Sequence, residues 1–381
     1  MIGLGLRMQL TQVLGALEQE LREPLASRFH RELAGKINAT LAEHPEALNL
    51  CLERLRHLVL SDRAGFYLEV TADWEDGRVV LQGDTERREF KDITREVFRA
   101  LGFAGVVDRI RIVPDPETDP EPYGLVKVPH LLTWSAPELR GLPMDEALYG
   151  EPVYLLKETA GSWLIKTLTG YWGYARRDGI RQVGRAEFIQ WLNAPKATLL
   201  RDHKVNDLLL PSGCRLVVQE WGEGPNAVLS LPEGGPIVPP KSLLLLAQRE
   251  PDIDRVVGYA RGFLDAPYNL GGKNQTGGVD CSGLVQLSYR ILGVNLPRDA
   301  HQQYLGGHLI LPCVREALLP GDALFFMNAT GLVDHVALYL GEGQLLHATG
   351  NAVRIDSTDP EAPNYLRRLD HEFIGAKRFW H

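Results

Sequence analysis

The chain has 381 residues, of which 44% are hydrophobic and 24% charged, and its formal net charge is −8. The length predicts two to four domains, and the composition is ordinary for a globular protein. The negative balance and the lack of a basic run argue against nucleic acid or an anionic membrane as a partner. No segment approaches the roughly 20 apolar residues needed to span a bilayer.

The first residues of the chain and the spacing of its cysteines indicate where in the cell the protein is expected. Arg7 follows the first apolar residues rather than preceding them, and no small-residue cleavage site is evident, which argues against a secretory signal. The four cysteines, Cys51, Cys214, Cys281 and Cys313, are far apart and form no Cys-x-x-Cys pair, as expected for reduced thiols. We therefore expect a cytoplasmic protein. A secreted or periplasmic location is the alternative if a signal peptide has been removed.

Residues 1–62 are predicted to be helical. Leu10, Val13, Leu14 and Leu17 recur at the i, i+3, i+4, i+7 spacing of one helix face. Such a face indicates a small bundle or a packing arm rather than a site.

The period changes in residues 63–115. Two stretches of alternating apolar residues flank the turn Asp76-Gly77, an amphipathic helix follows over 87–101, and a last strand covers 106–113. This β-β-α-β order predicts a small α+β unit. The Val-x-Leu-x-Gly strand end and the Gly-Val-Val-x-x-Ile strand resemble a BON-type module.

A proline-rich, acidic linker is predicted at residues 115–122. After it, residues 123–192 contain short predicted strands joined by glycine turns, which is typical of a small β-barrel. These strands lie at 151–158, 162–168 and 171–176. The segment resembles bacterial SH3 domains. Residues 193–248 repeat the pattern less clearly and predict a second, degenerate SH3-like barrel, with Cys214 as a small core residue.

Residues 250–381 carry the chemistry. Cys281 follows Asp280, a good helix N-cap residue, and Leu284, Leu287 and Ile291 then repeat at helical spacing. Cys281 would therefore lie in the first turn, where the helix dipole lowers a thiol's pKa and free N–H groups stabilise an oxyanion. The order of a helix followed by strands again predicts α+β.

A nucleophilic thiol also needs a base and a group that orients the base. His335 opens one predicted strand, and His347 lies in the next one, beyond a glycine turn. The hairpin would make the two histidines neighbours, with His335 as base and His347 fixing its tautomer.

Six motifs in this order resemble the NlpC/p60 family of papain-like cysteine peptidases. They are Tyr268-Asn269-Leu270-Gly271-Gly272, Asp280-Cys281-Ser282-Gly283, Leu296-Pro297-Arg298-Asp299-Ala300, Leu319-Pro320-Gly321-Asp322, Asp334-His335-Val336-Ala337 and Leu346-His347-Ala348. The resemblance implies a papain-like catalytic domain behind two SH3-like barrels and a helical, BON-like N-terminal region. With those barrels, the chain is similar to γ-D-glutamyl-L-diamino acid endopeptidases, which release L-Ala-γ-D-Glu from peptidoglycan stem peptides. The resemblance implies that Cys281 is the nucleophile, that His335 is the base and that His347 orients this base.

The resemblance also implies how a free N-terminal L-Ala is recognised. Asp280, Ser282 and a barrel tyrosine would hold its ammonium group, and a buried ammonium does need a carboxylate and further acceptors. Tyr171 is the first candidate and Tyr174 the second. A free amine exists once the sugar has been removed, which suits the recycling of wall fragments in the cytosol.

Two further family positions are Arg298 and Asp299. Arg298 is a candidate partner for a substrate carboxylate, with Asp299 or a backbone carbonyl as the alternatives. Leu270 departs from the aromatic residue that often precedes the glycine pair, which would reshape one wall of the cleft.

Three alternatives to this function use the same part of the chain. A related amidase or acyl transferase would use the same fold, and a cell-wall binding protein would have a silent site. A zinc site would draw on six side chains whose spacing matches no closed structural site, and no His-Glu-x-x-His is present. These are Cys281, Cys313, His301, His308, His335 and His347. We predict no metal, no cofactor and a stem-peptide partner.

Overall fold

The computed structural model describes residues 25–37, 47–60, 65–103, 105–115, 117, 119, 121–246 and 252–380. The chain divides into two compact units, Met1–Thr118 and Asp119–His381. The helix predicted around Leu10 to Leu17 lies outside the described residues. In the described part of the chain, no helix has the length and apolar character required to cross a membrane.

The first unit confirms the predicted β-β-α-β order. Its elements are α1 (Leu25–Ile37), α2 (Leu48–Val59), β1 (Leu68–Glu75), β2 (Arg78–Thr85), α3 (Arg88–Ala100) and β3 (Val106–Ile112). Asp76 and Gly77 both have positive φ, as a two-residue hairpin turn requires, and they join the antiparallel pair β1 and β2. Strand β3 then pairs with β2 in parallel. The BON-like interpretation stays a prediction.

The second unit begins with a seven-stranded sheet. Its strands are β4 (Tyr123–Val126), β5 (His130–Ala136), β6 (Arg140–Leu148), β7 (Pro152–Glu158), β8 (Ser162–Thr167), β9 (Trp172–Arg176) and β10 (Ile180–Val183). They are ordered β10-β4-β7-β8-β9-β5-β6. Each given pairing in this sheet is antiparallel. Strands β7, β8 and β9 are the three predicted ones, whereas β4, β5, β6, β10 and the following helix α4 (Arg185–Asn193) were not predicted.

Smaller sheets follow. The strands are β11 (Lys196–Leu199), β12 (His203–Val205), β13 (Leu208–Leu210), β14 (Arg215–Glu220), β15 (Val228–Ser230), β16 (Pro236–Ile237) and β17 (Leu244–Leu246). Five of them are ordered β16-β15-β14-β11-β17, and β12 pairs with β13 in a separate hairpin. Cys214 is buried just before β14, in the core as predicted.

The last part of the chain packs helices against a six-stranded antiparallel sheet. Its helices are α5 (Ile253–Arg261), α6 (Cys281–Arg290), α7 (Ala300–Tyr304) and α8 (Arg367–Glu372). Its strands are β18 (Lys273–Asn274), β19 (Gly278–Val279), β20 (His308–Ile310), β21 (Ala323–Met327), β22 (Val333–Gly341), β23 (Gln344–Thr349), β24 (Ala352–Ser357) and β25 (Phe373–Arg378). The sheet order is β20-β25-β21-β22-β23-β24, and β18 pairs separately with β19.

Helix α6 is buried along its whole length and packs against β22, β23 and α5. One apolar cluster joins this helix to both preceding sheets, because Tyr149 after β6, Leu216 of β14 and Leu287 of α6 belong to it. A shared core of this kind fixes the position of the earlier sheets on the start of α6.

Candidate active site

The start of α6 has the predicted geometry. Asp280 is the N-cap, and its Oδ1 accepts a hydrogen bond from the backbone N–H of Gly283 at 2.8 Å. A Cβ on Gly283 would lie 2.6 Å from the carbonyl oxygen of Gly272. Only glycine fits there, so the loop before the helix can close tightly over its first turn.

The thiol itself behaves differently from the prediction. Cys281 is 8% exposed. Burial, followed by the charge of Asp280, raises the pKa of the Cys281 thiol to about 12, although the backbone N–H groups of Val336 and Ser282 and the charge of Arg298 act in the other direction. The predicted lowering of this pKa was wrong, because desolvation of the thiolate outweighs the effect of the helix start.

The two histidines meet as predicted. The distance from His335 Nε2 to His347 Nδ1 is 2.7 Å, across the hairpin of β22 and β23. The backbone N–H of Val336, which follows His335 directly in β22, acts on the Cys281 thiol, and α6 packs against this strand. Burial, followed by His347, lowers the pKa of His335 to about 3, and burial also lowers the pKa of His347.

Asp356 extends this chain of side chains. Its Oδ2 lies 2.9 Å from His347 Nε2 and accepts from Arg354 Nε at 2.7 Å. The pKa of Asp356 is lowered, mainly by its bonds to His347 and Arg354 acting against burial, so the carboxylate is ionised and only accepts.

The ionised carboxylate determines both tautomers. His347 must carry its proton on Nε2, which makes Nδ1 an acceptor, and His335 must then carry its proton on Nε2. The lone pair of His335 Nδ1 is left as the basic site. A neutral thiol and a neutral imidazole with this tautomer form the resting pair, and the proton moves when the sulfur attacks.

Asp280 is held by an arginine from a distant segment. Arg298 Nη2 donates to Asp280 Oδ2 at 2.5 Å, and its Nη1 donates to Asp280 Oδ1 at 3.1 Å and to Ser282 Oγ at 2.8 Å. The backbone N–H of Gly271 also donates to Asp280 Oδ2, at 2.7 Å. Arg298 is 1% exposed, so its partners are protein groups, and they differ from the three partners considered for it in the sequence.

A second carboxylate, which comes from the seven-stranded sheet, neutralises the charge of Arg298. Asp145 of β6 accepts from Arg298 Nε at 2.8 Å and lies 2.7 Å from Lys273 Nζ. Thr167 and Thr169 donate to its other oxygen at 2.9 and 2.8 Å. Asp145, Lys273 and Arg298 are almost completely buried. The adjacent Glu146 is also buried, which raises its pKa to about 7, and it accepts from the backbone N–H of Lys273 at 2.5 Å.

The two candidate tyrosines occupy different places. The hydroxyl of Tyr171 donates to Asp299 Oδ2. Tyr174 lies on β9 as the cross-strand neighbour of Leu164 and Trp134. Of the substrate-binding candidates, Tyr171 and Asp299 therefore form one pair, while Asp280, Ser282 and Arg298 form another group. The Asp299 side chain is 38% exposed, which leaves this carboxylate accessible.

Four site residues were missed in the sequence. Asp145 and Glu146 come from a strand that was not predicted, and Lys273 begins the two-residue strand β18, in a glycine-rich stretch whose sequence has no strand pattern. Asp356 had a usable signal: Arg354 is opposite His347 in the β23–β24 register, and a residue two positions further shares the same face. In the parts of the chain that the structure covers, no three His, Cys, Asp or Glu side chains are placed to hold a metal ion.

With this geometry in hand, comparison with known proteins identifies the domain. Residues 265–368 match the model of the NlpC/P60 family. This part of the chain is an NlpC/P60 domain. The match contains Cys281, His335, His347 and Asp356, while Asp145 and Tyr171 lie before it.

Relatives and solved structures agree with this assignment. The chain is 29% identical over 260 residues to dipeptidyl-peptidase 6 of Lysinibacillus sphaericus, covering 62% of this chain and 92% of that protein. It is 30% identical over 131 residues to the gamma-D-glutamyl-L-lysine dipeptidyl-peptidase of Bacillus cereus, but this covers only 34% of the chain and 37% of that relative. The crystal structure of an NlpC/P60 family protein from Bacillus cereus aligns with a TM-score of 0.58 at 21% identity, over 68% of this chain and 100% of the other. That structural likeness concerns the fold, and it extends the NlpC/P60 comparison well beyond residues 265–368.

Proposed function

We propose that this NlpC/P60 protein is a cysteine peptidase that hydrolyses the bond between γ-D-Glu and the diamino acid of peptidoglycan stem peptides, releasing L-Ala-γ-D-Glu. The observation that carries the proposal is the chain of contacts from Asp356 through His347 to His335, on the strand that packs against the helix of Cys281. This chain prepares a neutral imidazole with its lone pair on Nδ1, which is what a buried thiol needs as a base. Two relatives, dipeptidyl-peptidase 6 and gamma-D-glutamyl-L-lysine dipeptidyl-peptidase, support the reaction and the substrate class.

The reaction proceeds in two displacements. Cys281 Sγ attacks the γ-carbonyl carbon of D-Glu while its proton passes to His335 Nδ1. His335 then gives this proton to the leaving amine of the diamino acid, and a thioester remains. Water attacks the thioester, His335 accepts its proton and returns it to the sulfur, and L-Ala-γ-D-Glu leaves. The first turn of α6 supplies backbone N–H groups for the oxyanion.

We further propose that the free amine of L-Ala binds at Asp299 and Tyr171. The Asp299 carboxylate is accessible and accepts from the Tyr171 hydroxyl, whereas both oxygens of Asp280 are already engaged by Arg298 and backbone N–H groups. Asp280 and Ser282 then do not contact the amine. They hold Arg298, the residue before Asp299, in place. A blocked amine would lose its charge and with it the ion pair to Asp299, whose neighbour His301, 3.9 Å away, is charged only when protonated. This loss disfavours binding.

Two finer assignments accompany this function. The sheet of β4–β10 and the smaller sheet of β11 and β14–β17 are proposed to be SH3-like units, which is supported by short antiparallel strands and by positive φ at Gly161 and Gly170 in the turns. A cytoplasmic role in recycling wall fragments is proposed because only trimmed fragments carry a free L-Ala amine.

The test uses defined stem peptides and mass spectrometry. The tripeptides L-Ala-γ-D-Glu-meso-diaminopimelate and L-Ala-γ-D-Glu-L-Lys are incubated with the wild type and with Cys281→Ala, and release of L-Ala-γ-D-Glu is followed. We expect release by the wild type and none by Cys281→Ala, while Cys313→Ala, which alters an exposed thiol, keeps full activity.

The N-acetylated tripeptides test the amine site separately. We expect their kcat/KM to fall by about 100-fold or more, because a charged contact at Asp299 is lost. Equal cleavage of acetylated and free peptides would refute the amine site but keep the peptidase. Cleavage of simple amides or acyl donors in place of the peptides would support an amidase or acyl transferase.

A further inference from the structure

A second cavity lies beside α6, away from Cys281. Its volume is about 540 Å³, which is within the range of small-molecule sites. Gln286 and Arg290 of α6 line it, and the opposite walls come from the turn between β6 and β7, the turn between β8 and β9, and Arg215 of β14. Cys281, His335 and His347 are not among the residues that line it.

The wall of this cavity has an excess of positive charge. It contains Lys196, Arg215 and Arg290 but a single carboxylate, Glu151, which pairs with Arg290. Arg215 donates instead to neutral oxygens, namely Asn295 Oδ1 at 2.8 Å and the backbone carbonyl of Arg290 at 2.5 Å.

Lys196 likewise has neutral partners, the backbone carbonyls of Leu192 at 2.9 Å and Ala194 at 3.2 Å. Two cationic charges are thus without a carboxylate partner in the wall. Burial, followed by Arg290, lowers the pKa of Arg215 to about 9, which is the expected cost of confining two guanidinium groups with one carboxylate. An anion in the cavity would offset this charge.

The remaining wall is mainly apolar. Leu168, Leu192, Val294 and Leu296 contribute aliphatic side chains. Gln286 donates through Nε2 to the carbonyl of Leu296 at 2.8 Å, but its buried Oε1 has no hydrogen-bond partner in the structure. An occupant with an aliphatic part and an N–H group would match this wall better than an inorganic anion.

We propose that this cavity binds a small organic carboxylate, with the carboxylate at Arg215 and Arg290 and an aliphatic part against the leucine and valine side chains. This site is independent of the peptidase reaction. Neither of the two arginines belongs to the catalytic group or to the proposed amine site.

The probe is N-acetyl-L-leucine, and its neutral isostere is N-acetyl-L-leucinamide. Binding is measured by titration calorimetry on the full chain carrying Cys281→Ala, so that no peptidase reaction accompanies binding. We expect a Kd on the order of 1 mM for the acid, as is usual for a ligand of this size, and binding at least tenfold weaker for the amide. Inorganic phosphate at equal ionic strength should also bind at least tenfold more weakly.

Variants locate the binding. Arg215→Met should weaken binding of the acid at least tenfold, and Arg215→Lys should restore part of it. Leu168→Trp changes an exposed turn residue and should block the cavity without removing a buried contact. Arg181→Met is the control, since Arg181 also donates to a backbone carbonyl, that of Pro232, but lies outside this cavity. Equal binding of acid and amide, equal binding of phosphate, or unchanged binding in both Arg215→Met and Leu168→Trp would each overturn the proposal.

Discussion

A single carboxylate at the far end of the catalytic chain determines where the proton of His335 lies. Asp356 Oδ2 receives both His347 Nε2 and the guanidinium of Arg354. An asparagine in its place has one accepting and one donating end. In the Asp356→Asn variant, the two N–H donors of Arg354 would bind the oxygen of the new side-chain amide, and the NH₂ group of that amide would then donate to His347.

Asp356→Asn should therefore reverse both tautomers. His347 would carry its proton on Nδ1, His335 would carry its proton on Nδ1, and the lone pair facing the thiol would be lost. We expect kcat to fall by about 100-fold or more with little change in KM, which steady-state kinetics on the tripeptide can measure. Asp359→Asn, an exposed aspartate just after β24, is the control and should keep wild-type kinetics. A kcat within twofold of wild type in Asp356→Asn would contradict this role.

His347, which is buried, and His335, which is partly buried, also make stability depend on pH. The pKa of His335 is about 3 in the folded chain and about 6.5 when unfolded, so between these values only the unfolded state binds the proton. The free energy of unfolding should consequently decrease as the pH falls below 6.5. For His335 alone the loss is about 2 kcal/mol at pH 5.

Urea unfolding at pH 7 and pH 5 measures this dependence. His335→Gln should show a smaller loss between the two pH values than the wild type. The pKa of His347 is lowered in the same direction, so part of the dependence remains in that variant. In His371→Gln, a change at an exposed position, the free energy of unfolding should decrease between pH 7 and pH 5 by as much as in the wild type. An identical loss in all three proteins would exclude His335 as a source.

Elements with a local pattern were predictable, and those defined by distant partners were not. The alternation in β7 and β8 and the glycine turn between them are local, as are the N-cap and apolar spacing of α6. Strand β4 has four residues and owes its place to β7 and β10, which follow it in the chain.

The same distinction applies to the site. The order of motifs predicted Cys281, His335 and His347, because they lie in elements with recognisable patterns. Asp145 and Arg298 are 153 residues apart, and no local pattern connects them. The pKa of Cys281 was predicted in the wrong direction for a related reason: the helix start is a local feature, but burial depends on the whole fold.

Helix α6 depends on a glycine in its first turn. In Gly283→Ala the new Cβ would lie 2.6 Å from the carbonyl oxygen of Gly272 and 2.9 Å from Asp280 Oδ1. We expect a loss of roughly 1–3 kcal/mol in the free energy of unfolding, with reduced activity, because the N-cap and the loop must move apart.

The matched control is a glycine on another helix. Gly258 of α5 is exposed, and a Cβ there has nothing within 4 Å. Gly258→Ala should stabilise the protein by up to about 1 kcal/mol. Urea unfolding should thus give opposite signs for the two substitutions, and equal signs would show that the contact with Gly272 is relieved without cost.

At the scale of the whole molecule, the seven-stranded sheet supplies a charge that the catalytic part requires. Lys273 and Arg298 are buried cations that both lie against Asp145, and Asp280 is shared with Arg298. The other half of this junction is the buried pair of Glu151 and Arg290. Removing one charge from such a group leaves its partner buried and unpaired, which costs more than the pair contributes.

Asp145→Asn should destabilise the second unit by about 3–5 kcal/mol, because Lys273 would lose its ion pair and Arg298 would keep only that with Asp280. Arg298 would also shift toward Asp280 and disturb the start of α6, so activity should fall with stability. Thermal unfolding measures the stability, and tripeptide hydrolysis measures the activity.

Asp178→Asn is the control, since its ion pair with Arg176 is exposed, and it should change stability by less than about 0.5 kcal/mol. The double variant Asp145→Asn with Lys273→Met removes one of the unpaired cations and should regain part of the lost stability. If Asp145→Asn were as stable as Asp178→Asn, Asp145 would not be needed to neutralise Lys273 and Arg298. The shared apolar core and the Glu151–Arg290 pair would then hold the sheet and the catalytic part together.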